Sequence, residues 1–433
     1  MFKKRSLLAV FTLLVISLTI ILGNSATFNL GESFKGIPVK IVEVMMAIDF
    51  LLLAAYIYLN YKKNSIKFVK LKHLKILVIW ILFGVLASLI KSFYYEYSIK
   101  ELTYGWLYGA RIMFYVAYTY CVAIYFKMND FKLKDFLWKM VVCYVIVALI
   151  GFIQFKYWPV AYDFYNILRK FGVYLLNPDP HVNRLISTYL DPNFLSTILL
   201  LPISITVAFI IEDKTDIKSI IALAILITAE GLTVSRSGLL GLGVFATLLL
   251  LFLLFGRNKL NDITINVKVL VLIYILVICL PVIIYIFKDS RIIERIIYVS
   301  EDPSALARVS SWQVGISLVK DNFFIGIGYN MIGFYTNQTS SITSFGMDSS
   351  LLMVAATTGI IGLFIFLGFI TSIFRDMVKI RKENFYIANT TIAVTLASVI
   401  ASFFNNLLFY PLWLIPFLLI VNCIIIYYSD SVE

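Results

Sequence analysis

The stretch KSIIALAILITAEGLTVSRSGLLGLGVFATLLLLFLLF, residues 218–255, decides the fold. It holds two apolar runs, 218–234 and 237–255, and each is long enough to cross about 30 Å of hydrocarbon. They are joined at Ser235-Arg236-Ser237, which leaves no room for a longer connection. The stretch therefore predicts a hairpin of two membrane-spanning helices with Arg236 at its tip.

The rest of the chain repeats this pattern. Of its 433 residues, 61% are hydrophobic and 14% charged, whereas soluble domains are about half apolar and a quarter charged. We predict an all-α, polytopic integral membrane protein: a single transmembrane domain over 1–433 with about twelve helices. The predicted spans lie near 6–22, 39–59, 74–91, 104–126, 136–154, 193–211, 218–234, 237–255, 268–287, 349–373, 385–405 and 410–428. Alternatively, residues 1–25 form a signal peptide, which leaves eleven spans.

The basic residues predict the orientation. With the N-terminus placed in the cytoplasm, the short inner segments hold 22 of the 37 Lys and Arg residues, as the positive-inside rule requires. The C-terminus is then also cytoplasmic. The net charge of +12 is thus mainly a topology signal, and nucleic-acid binding is not expected. Seven of the 15 other basic residues are Arg, against four of the inner 22. Because its planar guanidinium suits phosphate and carboxylate, this bias indicates an anionic ligand outside.

Two predicted outer segments, about 155–192 and about 288–348, are longer than a connection requires, so we expect them to fold and to carry function. Within the second, residues 290–298 predict an amphipathic helix at the membrane interface. The sequence has no Walker A, Asp-x-Asp, His-Glu-x-x-His or Gly-x-Ser-x-Gly motif, which argues against ATPases, metal-dependent sugar transferases, zinc proteases and serine hydrolases. The four Cys and two His show no metal-ligand or disulfide spacing, so no metal and no cofactor is expected.

Polar motifs gather at the predicted outer ends of the spans. In chain order they are Arg184 ahead of Pro192-Asn193, Arg236 within Ser235-Arg-Ser-Gly238, Arg308-Val-Ser-Ser-Trp312 followed by Gly326-Ile-Gly328, and Asp348 before a span that contains Gly359-Ile-Ile-Gly362. Their order and common side resemble the O-antigen ligase and polysaccharide polymerase family (oligosaccharide repeat unit polymerases) over roughly residues 180–370. The resemblance implies a membrane glycosyltransferase of GT-C-like fold, acting at the outer face of a bacterial inner (plasma) membrane.

The resemblance also implies a reaction and its partners. The donor and the acceptor would be undecaprenyl-diphosphate-linked oligosaccharides among membrane lipids, with a flippase and a chain-length regulator as possible protein partners. Arg184, Arg236 and Arg308 would stabilise the departing diphosphate without a metal. Asp348 would orient or deprotonate the acceptor hydroxyl. Since ligases of this family tend to have His there, Asp348 favours a polymerase of surface polysaccharide (O-antigen, capsule or exopolysaccharide) over a ligase.

Further residues and other interpretations stay open. Arg111, His181, Asn193 and Trp312 are predicted to bind substrate, with His181 a second candidate base. Each of these residues also has a possible structural role in place of a functional one. The arginines would be interfacial anchors, Asp348 would be the N-cap of the tenth span, and Trp312 would be a packing residue. Of the charges within spans, we expect Glu43 to pair with Arg111 and Glu230 to steady Arg236, while Asp49 has a structural role. A transporter or flippase is the rival function, although no symmetric pair of broken helices is evident.

Overall fold

The computed structural model describes residues 7–25, 27–28, 39–61, 69–173, 181–213, 216–255, 303–337 and 346–428. Apart from one pair of two-residue antiparallel strands, β1 (Thr27–Phe28) and β2 (Val39–Lys40), this part of the chain is helical, as predicted. The helices are α1 (Leu7–Leu22), α2 (Ile41–Tyr61), α3 (Lys72–Tyr95), α4 (Ile99–Met128), α5 (Leu133–Tyr157), α6 (Ala161–Lys170), α7 (Pro192–Glu212), α8 (Ile217–Leu232), α9 (Arg236–Phe255), α10 (Pro303–Asp321), α11 (Ile332–Tyr335), α12 (Ser350–Ile380), α13 (Phe385–Ala401) and α14 (Pro411–Tyr427).

The described helices account for eleven of the twelve predicted spans. Seven of them, namely α2, α3, α4, α5, α7, α9 and α12, are long and apolar enough to cross a membrane, while α1, α13 and α14 are shorter apolar helices. The ninth predicted span, 268–287, and the predicted amphipathic helix at 290–298 lie outside the described residues. The structure thus agrees with a polytopic membrane protein, and the number of twelve spans remains a prediction.

The long helices alternate in direction and form a bundle. Helices α1, α3, α5, α8 and α13 finish at one end, and α2, α4, α7, α9, α12 and α14 begin there; we call this the upper end. Hydrogen bonds join the connections at that end, including Ser25 N–H to the Thr188 carbonyl at 3.1 Å and Ser350 N–H to the Ser402 carbonyl at 2.8 Å. Arg184, Arg236, Arg308 and Asp348 lie on or beside these upper-end connections.

The centre of the bundle is α7. Nearly all its side chains are buried, and it packs against α5, α8, α9 and α13. Asp191 caps its first turn by accepting from the Asn193 and Phe194 amides at 2.7 and 3.0 Å, and Pro192 follows at a helix start, where a missing N–H costs nothing. This cap fixes the position of Asn193, a predicted site residue, at the upper end of the most buried helix.

Helix α12 is broken at Gly359, where φ is 64° and ψ is −171°. Residues 323–328 pair with the backbone on both sides of the break: Gly328 N–H donates to the Thr357 carbonyl at 2.9 Å, and Ile360 N–H donates to the Phe323 carbonyl at 2.8 Å. The two predicted glycine motifs, Gly326-Ile-Gly328 and Gly359-Ile-Ile-Gly362, therefore meet. A Cβ at Gly326 or Gly359 would collide with the opposing backbone, so both close contacts require glycine.

Candidate functional site

The segment that precedes α7, residues 181–191, is an irregular loop that is largely buried; we call it the buried loop. Three of its non-glycine residues, Asn183, Ser187 and Leu190, have positive φ, which only a strongly constrained backbone maintains. The Gln154 side chain accepts from the Ile186 amide at 3.0 Å, and the Thr188 carbonyl accepts from Asn24 N–H at 2.9 Å. Because irregular backbone in a hydrocarbon environment needs such internal partners, the chain is built to hold this loop in one conformation.

Arg184 connects the buried loop to the tip of the α8–α9 hairpin, residues 233–238. Its Nε donates to the Thr233 carbonyl at 2.8 Å and one Nη to the Val234 carbonyl at 3.2 Å. The same Nη donates to the Asn193 Oδ1 at 2.8 Å. Arg184 is only 7% exposed and binds the carbonyl end of α8, where a cation is favoured. It is therefore a buried cross-link rather than an interfacial anchor, and it brings together two predicted site residues, Arg184 and Asn193.

The hairpin tip is tightly built around Arg236, which is half-buried and begins α9. Val234 has a φ of 51°, a conformation that β-branched residues rarely adopt. Two residues after Arg236, a side chain at Gly238 would overlap the Ser196 hydroxyl and approach the Glu230 carboxylate. That carboxylate accepts from Ser196 at 2.6 Å, so the expected contact with Arg236 is replaced by one with α7. The strain and the close packing fix where the Arg236 backbone lies.

A second group of predicted residues forms around α10 and the start of α12. Arg308 Nε donates to the Phe404 carbonyl at 3.1 Å, and the Trp312 indole donates to the Asp348 carbonyl at 3.1 Å. The Trp312 ring also lies 5.8 Å from that of Phe404. Arg308 and Trp312 lie one turn apart on α10, whereas the sequence placed Arg308 in a loop. Packing thus brings Arg308, Trp312 and Asp348 together.

Asp348 is not the N-cap of α12. That position belongs to Ser349, whose side chain accepts from the Leu352 amide at 3.4 Å. The backbone of Asp348 is held instead, because its N–H donates to the Ser311 hydroxyl at 3.0 Å and its carbonyl accepts from Trp312. The structural alternative for Asp348 as N-cap was therefore wrong, and Asp348 is a half-buried residue whose backbone is bonded to α10.

The connection between α13 and α14, residues 402–410, runs between the two groups; we call it the bridging loop. At one end the Tyr410 ring stacks on Phe194, with 4.3 Å between centroids, and Phe194 is the neighbour of Asn193. At the other end Phe404 contacts Arg308 and Trp312. Sequence reasoning missed this loop because it carries no charge and lies between two apolar spans. Its only signal is Asn405-Asn406 within an otherwise apolar connection.

Two further predicted site residues, Arg111 and His181, have contacts of their own. The Arg111 Nε donates to Glu43 at 3.0 Å and to the Tyr115 hydroxyl at 2.7 Å, and Tyr115 also binds Glu43. The predicted pair between the second and fourth spans is thus confirmed, and it gives Arg111 a structural partner. Among the described spans Asp49 is also paired, accepting from Thr12 at 2.9 Å and Tyr118 at 3.0 Å. The His181 carbonyl accepts from the Ala161 amide at 2.8 Å, so the backbone of His181 ties the buried loop to α6.

A cation that the sequence reasoning missed lies near the Arg111–Glu43 pair. Lys40, only 6% exposed, donates to the Asn24 side chain at 2.9 Å and lies 5.7 Å from the Tyr410 ring centroid. Burial lowers the pKa of Lys40 to about 7, with Glu43 opposing this shift and Arg111 adding to it. Asn24 also donates to the Tyr189 carbonyl at 2.9 Å. Lys40 thereby connects α1 and α2 to the buried loop and the bridging loop.

Chemically, the upper end carries Arg184, Arg236, Arg308 and Asp348 together with several aromatic rings on a tightly held backbone. Such an arrangement can bind an anion and place a proton acceptor near it. Among the residues that the structure describes, no group of three or more His, Cys, Asp or Glu has the arrangement of a metal site.

Comparison with known proteins gives a family match over part of the chain. No curated protein matches the chain. The family model described as O-antigen ligase matches residues 221–367, which include Arg236, Arg308, Trp312 and Asp348 but neither Arg184 nor the bridging loop. Together with the apolar helices, this match indicates a membrane enzyme of a glycosyltransferase-like, glycan-handling kind. The resemblance to the O-antigen ligase family predicted from the motifs is thus confirmed by a family-model match over residues 221–367.

Proposed function

We propose that this protein polymerises undecaprenyl-diphosphate-linked oligosaccharide repeat units into surface polysaccharide at the outer face of a bacterial plasma membrane. The observation that carries the proposal is the position of Arg184, Arg236, Arg308 and Asp348 at the same end of the bundle, within and beside the segment that matches the family model.

The proposed step is a single displacement. An acceptor hydroxyl oxygen attacks the anomeric carbon of the donor sugar, and the bond from that carbon to the diphosphate oxygen breaks. The electron pair leaves with the diphosphate, and the hydroxyl proton passes to the Asp348 carboxylate. Because negative charge grows on the leaving diphosphate, guanidinium groups held near it stabilise the transition state more than the ground state.

The contacts indicate a different role for each of the three arginines. Two nitrogens of Arg184 are bound to Thr233, Val234 and Asn193, so Arg184 mainly holds the hairpin tip in position. Arg236 sits on that tip and is the best candidate for the diphosphate ligand. Arg308 is bonded to Phe404 on the same helix as Ser311 and Trp312, which hold Asp348, and it would bind the same group from the acceptor side.

The test uses purified full-length protein in liposomes, supplied with lipid-linked repeat units from the native host in the absence of nucleotide and added metal. Wild type should produce a ladder of lengthened glycolipids, and Arg236→Ala should slow its formation by roughly 10²–10³-fold. Arg375→Ala is the matched control, because Arg375 lies in the last part of α12, away from the upper end, with its side chain 50% exposed.

Two results would contradict the proposal. Absence of a ladder with intact substrate and folded protein would favour ligation to another acceptor or transport of the glycolipid. A ladder from Arg236→Ala equal to that of wild type would remove Arg236 from the site.

A further inference from the structure

The backbone of the bridging loop is bound tightly over the start of α12. Its Ser402 carbonyl accepts from the Ser350 amide at 2.8 Å. The Ser350 hydroxyl then donates to the Asn405 carbonyl at 3.4 Å and accepts from the Leu408 amide at 3.1 Å. Ser350 is fully buried, and it lies two residues after Asp348. The loop is therefore fixed relative to the proposed base.

The side chain of Asn405 does not share in this bonding. Asn405 is 5% exposed, yet neither its Nδ2 nor its Oδ1 has a hydrogen-bond partner among the described residues, and the buried Oδ1 of Asn406 has none either. Each unsatisfied buried polar group costs about 1–3 kcal/mol. Such groups are rare in folded proteins and call for an explanation.

Another buried asparagine of this chain has both ends of its amide bonded. Asn422, in α14, is fully buried; its Oδ1 lies 2.8 Å from the His73 Nε2 and its Nδ2 donates to Thr119 at 3.2 Å. The bundle can therefore satisfy a buried amide where the amide is structural. Asn405 has the same side chain as Asn422, but at its position no described residue bonds the amide nitrogen or the amide oxygen.

The neighbours of Asn405 indicate which ligand would use these groups. The preceding residue, Phe404, binds Arg308 through its carbonyl and contacts the Trp312 ring. An uncharged amide offers both donors and acceptors, which matches sugar hydroxyls, whereas a diphosphate offers acceptors only and calls for cations. We propose that Asn405 and Asn406 form a saccharide-binding subsite next to the transfer point and hydrogen-bond hydroxyl groups of the substrate glycan.

This inference rests on the proposed function for its choice of ligand, but its test needs no transfer reaction. The simplest competing explanation is a structural water that bonds both amides. The two explanations differ in stability, because replacing an unsatisfied amide by leucine removes a cost, whereas replacing a water-bonded amide breaks a network.

The experiment measures both properties in purified full-length protein in detergent. Binding is followed by tryptophan fluorescence, since Trp312 lies beside Phe404. The probes are oligosaccharide repeats released by mild acid from the host's own surface polysaccharide and, separately, sugar-free undecaprenyl diphosphate. The variants are Asn405→Leu and Asn406→Leu, with Asn422→Leu as the matched buried control and thermal unfolding measured for each.

We expect Asn405→Leu to bind the oligosaccharide about tenfold more weakly, which corresponds to one lost hydrogen bond of about 1.4 kcal/mol, while its unfolding temperature is unchanged or raised. Its binding of undecaprenyl diphosphate should equal that of wild type, and Asn422→Leu should unfold at a lower temperature. Amide-dependent oligosaccharide binding supports the subsite even if no ladder forms, and only the polymerase proposal then fails. Equal binding by wild type and Asn405→Leu, a lower unfolding temperature for Asn405→Leu, or no oligosaccharide binding by wild type would overturn it.

Discussion

Arg184 permits the sharpest test of how the site is held together. Its guanidinium donates hydrogen bonds to the Thr233 and Val234 carbonyls and to Asn193. A lysine keeps the charge but has a single nitrogen and no planar fork, so Arg184→Lys can keep about one of them. Bonds from a charged donor contribute about 1.5–3 kcal/mol each. Loss of two therefore predicts a destabilisation of roughly 3–6 kcal/mol.

The measurement is thermal unfolding in detergent, followed with a thiol-reactive fluorophore that reports exposure of the buried Cys143 and Cys423. Arg184→Lys should unfold several degrees below wild type. Arg375→Lys serves as control, because the Arg375–Asp376 contact is 3.6 Å long with a half-exposed arginine and should contribute less than about 1 kcal/mol. If Arg184→Lys unfolds at the same temperature as wild type, the stability of the protein does not depend on this cross-link at the hairpin tip, which would contradict the prediction.

Three further predictions follow from strain and buried charge. At Val234, where φ is 51°, glycine should give a protein about 1 kcal/mol more stable than alanine does, because only glycine adopts this conformation freely; an equal or more stable alanine variant would show that the tip is not strained. Arg111→Met should unfold more easily than the double variant Arg111→Met/Glu43→Gln, since the single change leaves an unpaired buried carboxylate, and a thermal double-mutant cycle with no coupling would contradict this. The pKa of Lys40 is lowered from 10.5 to about 7 in the folded protein, so between pH 7 and 10.5 the unfolded chain binds one proton more at this amine than the folded chain does. The free energy of unfolding of wild type should therefore rise with pH in this range, by up to about 1.4 kcal/mol per pH unit. Unfolding measured as a function of pH should show no such rise for Lys40→Met.

The sequence predicted the helices well because lipid demands long apolar runs, and such runs are visible in residue order. It also predicted the upper-end residues, since polar groups at the ends of spans stand out against apolar surroundings. Of these, Arg184 and Asn193 are bonded to each other. Arg308, Trp312 and Asp348 form a second group, whereas Arg111 is bound to Glu43.

Other features depend on long-range packing that residue order does not reveal. Residues 303–321 show no clear apolar face, so their helix and the position of Arg308 within it were missed. Asp348 and Ser349 are both good N-cap residues, and only the hydrogen bond to Ser311 explains why serine takes that place. The bridging loop was not predicted to belong to the site, because an uncharged turn between two spans cannot be distinguished from a simple connection in the sequence.

The break in α12 has a consequence for the way the chain is made. Peptide groups left unpaired in hydrocarbon are costly, and those on both sides of Gly359 find their partners in residues 323–328. Residue 329 is in turn bonded to the carbonyl of Gly84 in α3 at 3.1 Å. Because α3 is synthesised before residues 323–329, and these before α12, each of the two later segments emerges after the segment on which it docks. A rearranged gene that placed α12 ahead of residues 323–329 would have to insert a broken helix with nothing to complete it.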